Sequence, residues 1–510
     1  MIMRSPSDTS PSLSEVADDM AGMLHERRQP SGGSGQGVTR TVSTVGATLK
    51  VTVGPAVVSN DVMVVPLAVH LDKAGSGGLS SDGKKFDVHL AWDRNDRFSG
   101  ADGVRLVDLD AGTVQETFKA SSQSTSLTDK EPDATLHALF KPVDANTINV
   151  LVPESGLFEG VPVVRDGKLS EETKKALENT YDTESSPDPV ALETFTASVD
   201  GASDTRVTGK SVTITLASDV LFDSDSADLS AQADTTLKKA ADQLSTYPGG
   251  QVTIVGHTDD VADDAHNQDL SNHRAQAVAD RLGQLTSMSA YSVSVSGKGE
   301  SEPRVPNDSD ENRQLNRRVE ITLVPTESTS TKSDAGKDPS GKGGGDLPKA
   351  EGPVAKGSEG VTVKRGSRED KLTFVLKEVS RRGKYLVGEV KATGGPGGTD
   401  VGPADWLQPT QLAGSARGEE DTKLLGAITG LSLLTAQTRY YPVDYTTAKG
   451  AHHPLSEITA DNKLGDGDAT TLTVVWPDTG QDTVTLDLEP SKRPTRPNNP
   501  FRLTDIPVKR

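Results

Sequence analysis

Cysteine is absent from the 510 residues. That excludes disulfides, thiolate metal sites, a cysteine nucleophile and a lipidated N-terminal cysteine. No run approaches the roughly eighteen consecutive apolar residues of a membrane-spanning helix, so no membrane-spanning segment is expected. Aromatic residues make up only 4% and hydrophobic residues 33%. That is lean for one continuous core, and it predicts globular modules separated by disordered segments. A surplus of base is missing too. The net charge of -20 excludes the basic stripe of a nucleic-acid binder and opposes docking on an anionic membrane. The serine elbow of hydrolases is absent as well, and no nucleophile is placed by spacing beside a histidine. Nothing predicts an enzyme, and no cofactor is expected.

What is present falls into blocks. Residues 1–40 are Ser, Gly, Pro and charge, read as a disordered N-terminal segment with a weak helical stripe at Ser14–His25. From Ala47 short β-patterned runs recur: Thr48–Val53, Val62–Leu71, Phe86–Trp92, Val104–Leu109, Thr135–Phe140, Thr147–Val152 and Leu157–Val164. Gly, Asp and Ser clusters separate them, which predicts an Ig-like β-sandwich over 41–165. A connector follows at 166–210, with a charged helical stretch at Leu169–Thr183. Over 211–325 the period changes. Strands at Val212–Leu216, Val252–Val255, Tyr291–Ser296 and Val319–Leu323 alternate with helices around Ala233–Leu244, which Ser230 would cap, and Leu270–Leu285. This βαβαββ order predicts a two-layer α/β domain. Residues 326–360, with Gly343–Gly345, read as a flexible linker. Residues 361–510 return to the β pattern and predict a second all-β sandwich. Three of its segments line up in order with the first. Val104–Leu109 matches Leu431–Ala436, Thr147–Pro153 matches Thr483–Pro490, and Phe158–Val163 matches Leu503–Val508. The fold expected is therefore multidomain: a central α/β domain flanked by two duplicated sandwiches.

The stretch VGHTDDVADDAHNQDLSNHRAQAVADRL, Val255 to Leu282, carries the chemistry. Asp259 ends an apolar strand, and Arg274 sits on the helix that follows. Ser271, Ala275, Val278 and Leu282 form the stripe facing the sheet, and Arg274 lies at its border. A guanidinium beside a packed face needs a partner, and its planar fork matches a carboxylate. Acid and base on rigid elements suit the two ends of an amino acid.

The motifs Val220–Leu229, Gly256–Asp259, Asn267–Ala275, Gly297–Pro303 and Asn316–Ile321 resemble the OmpA-like, peptidoglycan-associated domain family, from Ser211 to Pro325. The resemblance implies a non-catalytic domain of the outer membrane protein family that holds the diaminopimelate of the cell-wall stem peptide. On the matched positions, Asp259 would face the ammonium and Arg274 the carboxylate. Asn267, Leu270 and Thr258 would line the site, with Arg318 and Phe222 at its border. The sequence departs from the family in the loop after Asp259, where Asp260–Ala265 is acidic and lacks the usual glycine.

Blander readings compete. The Asp259/Arg274 pair alone reads as an internal salt bridge. His257, Asp259, Asp260, Asp263, Asp264 and His266 suggest a metal loop, but a run of acids is ordinarily a solvated face, and no metal is expected. Asp93–Gly100 lacks the glycine of a calcium loop. His452-His453 reads as a surface loop pair. Thr393–Gly398 does not lead from a strand into a helix, so it is no phosphate loop.

The expectation is non-covalent anchoring to peptidoglycan, with the sandwiches recruiting an unidentified protein partner. The rivals are a wall-anchored motor or stator component, a secreted envelope enzyme or inhibitor, and a cytoplasmic protein reusing the fold. The N-terminus, MIMRSPSDTSPSLSEVADDM, lacks the apolar core of a signal peptide. A wall-associated location, in the envelope or outside the cell, therefore predicts a misassigned start. Met1, Met3, Met20 and Met23 are the alternative starts.

Overall fold

The structure is a computed structural model. It describes residues 36–74, 101–118, 126–169, 188–326, 345–407, 428–455, 463–490 and 499–510, with breaks at 45, 102, 166–167, 365–369, 400–401, 448–449 and 451; Phe86–Asp87, Glu171, Thr173 and Lys174 are described besides. The expected helix at Ser14–His25, the Asp93–Gly100 loop, Gly343-Gly344 and most of Leu169–Thr183 lie outside these residues. Among the described residues no helix is long and apolar enough to cross a membrane.

The chain divides into two compact units. The first holds β1 (Val38–Thr44), β2 (Ala47–Val53), β3 (Ala56–Ser59), β4 (Val62–Lys73), β5 (Phe86–Asp87), β6 (Arg105–Asp108), β7 (Thr113–Glu116, shared at its first residue with the second unit), β8 (Ser126–Leu127), β9 (Asp133–Phe140), β10 (Thr147–Val152) and β11 (Gly156–Arg165). β1 opens the module at Val38, inside the segment expected to be disordered. On β2 the side chains alternate, and Ala47, Leu49, Val51 and Val53 are buried. This period-2 burial is what a strand with one covered face requires.

The second unit joins the α/β region to the C-terminal β region. It begins with β12 (Val190–Ser198) and β13 (Ser203–Val207), both inside the expected connector 166–210. Next come β14 (Val212–Ala217), α1 (Ser218–Leu221), α2 (Ala233–Leu244), β15 (Gly250–His257), α3 (Asp264–Leu285), β16 (Tyr291–Gly297), α4 (Asp310–Asn316) and β17 (Arg318–Pro325). β15 runs parallel to β16 and antiparallel to β17, and β14 pairs with β17 on its far side. β13 and β12 extend this sheet beyond β14. The sheet order is thus β16–β15–β17–β14–β13–β12. Leu237, Ala240 and Leu244 of α2 and Ala275, Val278 and Leu282 of α3 close one face over Ile214, Ile254 and Ile321. Each of these side chains is at most 2% exposed, which fixes the register of both helices.

The C-terminal region contributes β18 (Val354–Lys356), β19 (Val361–Lys364), β20 (Lys371–Val375), β21 (Val379–Arg382), β22 (Tyr385–Gly394), β23 (Leu431–Leu434), β24 (Thr438–Tyr440), β25 (Asp444–Thr446), β26 (His452–Pro454), β27 (Ala469–Pro477), β28 (Thr483–Leu488) and β29 (Phe501–Lys509). β18 lies in the expected linker 326–360, yet it pairs in parallel with β29. Asp444 and Tyr445 of β25 sit beside Glu193 and Leu192 of β12.

The pairings of the two β regions repeat. β1–β2–β4, β3–β4, β4–β9, β10–β11 and β10–β6 correspond to β19–β20–β22, β21–β22, β22–β27, β28–β29 and β28–β23. The parallel pair β3–β11 matches β21–β29. Pro162 faces Thr147 and Pro507 faces Thr483, and each ladder then slips at the same place, Ile148/Val150 and Val484/Leu486. Both prolines follow a buried apolar residue, Val161 or Ile506.

Candidate functional site

The site forms where β15 ends. Gly256 and Gly297 let the sheet approach α3 closely, for a Cβ on either would meet Ser271 at 2.2 Å. Thr258 N–H donates to the Gly299 carbonyl at 2.9 Å. α3 starts at Asp264, a full turn and more before the Leu270 expected from the apolar stripe. Its cap is Asp263, whose carboxylate accepts from His266 N–H at 3.0 Å. The acidic loop is therefore partly a helix cap. Asp260, its other end, is paired with Arg313 of α4 at 2.9 Å.

Arg274 is 4% exposed. Its Nε donates to the Ser226 carbonyl at 2.8 Å, Nη2 reaches the Asp223 carbonyl at 3.4 Å, and its guanidinium carbon lies 5.2 Å from the centroid of the Phe222 ring. Phe222 is thus the floor on which the guanidinium rests. Burial lowers the Arg274 pKa below the ordinary arginine value, although Asp219, Asp225 and Asp259 oppose this. Among the described residues no carboxylate forms an ion pair with it, and the bridge to Asp259 of the blander reading is not made.

Asp259 pairs elsewhere. Its Oδ2 accepts from Arg317 Nη1 at 2.6 Å, and its Oδ1 accepts only a long bond from Val261 N–H at 3.3 Å. Arg317 also grips Asp219 with Nε and Nη2 at 2.8 and 2.7 Å. Hydrogen bonding to Asp219, above all, raises the Arg317 pKa.

The sequence reading placed Arg318 at the site border; the arginine that reaches Asp259 is Arg317. Arg318 instead donates to Glu320 at 2.7 Å and to the carbonyls of Asn316 and Glu302, both at 3.2 Å. Adjacent side chains at a strand point to opposite faces, so neighbouring arginines cannot serve one pocket. Parity was the available signal. Val319, Ile321 and Leu323 face the core, and Arg317 shares their parity just beyond the strand end, where the core gives way to the site. Asp219 had no such signal.

The remaining expected residues gather around this centre. The Asn267 amide lies 3.1 and 3.2 Å from the carbonyls of Asp259 and Ala262, and 2.6 Å from Glu300, so it pins the loop that carries the acid. Leu270 is half-buried one helical turn before Arg274, on the same face. Thr258 is buried, and its hydroxyl has no hydrogen-bond partner. His257 is buried with neither ring nitrogen bonded. Burial, then the Arg318 guanidinium, pushes its pKa down to about 4.

Known proteins match part of the chain. The OmpA family matches residues 221–317. Those residues are an OmpA family domain. Outer membrane porin F of Pseudomonas aeruginosa is 41% identical over 105 residues, covering 21% of this chain and 30% of that protein. The probable lipoprotein YiaD of Escherichia coli K12 is 36% identical over 126 residues, covering 24% of this chain and 56% of that protein. The matches thus span less than two thirds of either relative. Among solved structures, the cell wall anchor of the T6SS from Pseudomonas aeruginosa is 34% identical, with 24% of this chain and 88% of that chain covered and a TM-score of 0.22. The flanking β regions carry no family name.

Proposed function

We propose that this protein binds cell-wall peptidoglycan non-covalently in the cell envelope, through an OmpA family domain that takes the diaminopimelate of the stem peptide. The observation that carries the reading is the state of Arg274 and Asp259. A buried guanidinium is held by two carbonyls and a ring, and among the described residues no carboxylate claims it. Nearby, Asp259 keeps one oxygen with only a long backbone bond. Acid and base on rigid elements that do not neutralise each other are preorganised for a zwitterion. The ligand carboxylate would sit on the Arg274 fork, and its ammonium on Asp259 Oδ1. Each charge-assisted hydrogen bond contributes about 1.5–3 kcal/mol. After the cost of association, that supports roughly micromolar binding of a small fragment. A polymeric wall strengthens the hold through multivalency. The β regions would then display or recruit a protein partner at the wall.

The test is co-sedimentation of the full chain with purified peptidoglycan of the diaminopimelate type. The parent pellets, and Arg274→Ala stays in the supernatant with an unchanged circular dichroism spectrum. An Arg274→Ala chain that pellets like the parent refutes the assignment.

A further inference from the structure

We infer that Glu193, Asp444 and His452 form a divalent transition-metal site of the zinc class, on the β strands beyond the OmpA family domain. The topology assembles it across adjacent strands. Glu193 on β12 stands directly opposite Asp444 on β25. His452 opens β26, which pairs with β25 on its other side. The histidine that the sequence placed in a surface loop is therefore in a strand, with a side chain only 10% exposed.

Two acids facing each other across strands repel, so the pair needs positive charge between them. The side chains of Glu193 and Asp444 are 7% and 2% exposed. Arg206 supplies one charge, with its Nη2 and Nε at 2.6 and 3.2 Å from Glu193 Oε2.

The case for a cation is geometric. His452 Nε2 lies 3.0 Å from Asp444 Oδ2 and 3.8 Å from Glu193 Oε2. Despite this closeness, neither ring nitrogen makes a hydrogen bond. A buried ring nitrogen close to two carboxylates and bonded to neither is an arrangement that an ion would satisfy. One ligand atom from each of the three residues falls within 4.8 Å of the others. With bonds of about 2.0–2.2 Å, tetrahedral ligands sit roughly 3.3–3.6 Å apart, and the observed separations bracket that edge. Thr446 Oγ1 donates to Glu193 Oε1 at 2.9 Å, and with Arg206 on Oε2 it fixes the orientation of that carboxylate. Two oxygens and one imidazole nitrogen suit zinc; calcium asks for six to eight oxygens, roughly, and is disfavoured.

The test uses the full chain, stripped with a chelator and titrated with zinc chloride by calorimetry, with stoichiometry checked by elemental analysis. One tight equivalent is expected, and it is lost in His452→Ala and in Glu193→Gln. Zinc should raise the melting temperature of the parent but not of these variants. As a readout free of folding defects, nitrogen NMR of the parent should show the His452 Nε2 resonance shifting on zinc addition. The inference is overturned if no tight equivalent binds, if His452→Ala binds it equally, or if the His452 ring stays doubly protonated and indifferent to zinc. None of these outcomes bears on wall binding, which Arg274→Ala reads separately.

Discussion

Asp259→Asn separates binding from folding, because the structure gives the two jobs different partners. The substitution keeps the shape and removes one charge. Arg317 loses its contact to Asp259 Oδ2 at 2.6 Å but keeps both bonds to Asp219, at 2.8 and 2.7 Å. The side chains involved are 28% and 12% exposed, so solvent screens much of the loss. The stability cost is about 1 kcal/mol or less. That corresponds to a few degrees of melting temperature at most. Binding should suffer more. The ligand ammonium loses a charge-assisted bond of about 1.5–3 kcal/mol, which is roughly a 10- to 150-fold weakening. The assay is depletion of full chain from solution by increasing amounts of wall, with thermal melting run in parallel. A variant that binds within about twofold of the parent would refute the role of Asp259. So would a variant whose lost binding simply tracks lost folding.

Other consequences follow from the same geometry. His257 is held near a pKa of about 4 against an ordinary 6.5, because burial and Arg318 disfavour its charged form more than Glu320 and Glu302 favour it. As pH falls through this window the unfolded chain takes up the proton first, so stability present above about 6.5 is lost toward 4. The full span is on the order of 3 kcal/mol. Denaturant midpoints at successive pH values should fall accordingly, and His257→Asn should flatten the curve; an unchanged slope contradicts this. Asp487 ties Arg439 Nη2 at 2.8 Å to Arg502 Nε at 2.6 Å, with all three side chains at most 9% exposed. Asp487→Ala takes the paired carboxylate from buried Arg502, while Arg439 keeps Glu489 at 3.1 Å, and should cost about 3–5 kcal/mol. A denaturation midpoint close to the parent's would show that the two arginines find other partners.

The legible parts of the sequence were those with one covered face. Ala240 and Leu244 of α2, and Ile254 and Ile321 of the sheet, announce their period because the opposite face is polar. β12 gave no such signal. Leu192 to Ala197 are all buried, so polar Glu193, Thr194 and Thr196 break the alternation while being inside. Glu193 is tolerated there because Arg206 pairs with it. The start of α3 was hidden for a related reason. Asp263 and Asp264 look like a solvated loop, and only the bond from His266 N–H reveals a cap. β18 is short and sits among Gly and Pro, and it pairs with the distant β29. In the site, Arg274 lies on the helix expected, and Asp259 two residues past the end of its strand. The roles of Arg317, although it lies inside a family motif, and of Asp219 were not legible, because they depend on strand parity and on a contact between distant segments.

The most direct test of wall recognition compares two stem peptides that differ only in the third residue. One carries diaminopimelate and the other lysine, which keeps the distal ammonium but lacks the distal carboxylate. Calorimetric titration of the full chain should show binding of the first and at least roughly 10-fold weaker binding of the second, since the Arg274 fork loses a charge-assisted partner of about 1.5–3 kcal/mol. Equal affinity for the two peptides would contradict the assignment of Arg274 to the ligand carboxylate, and with it the proposed mode of anchoring.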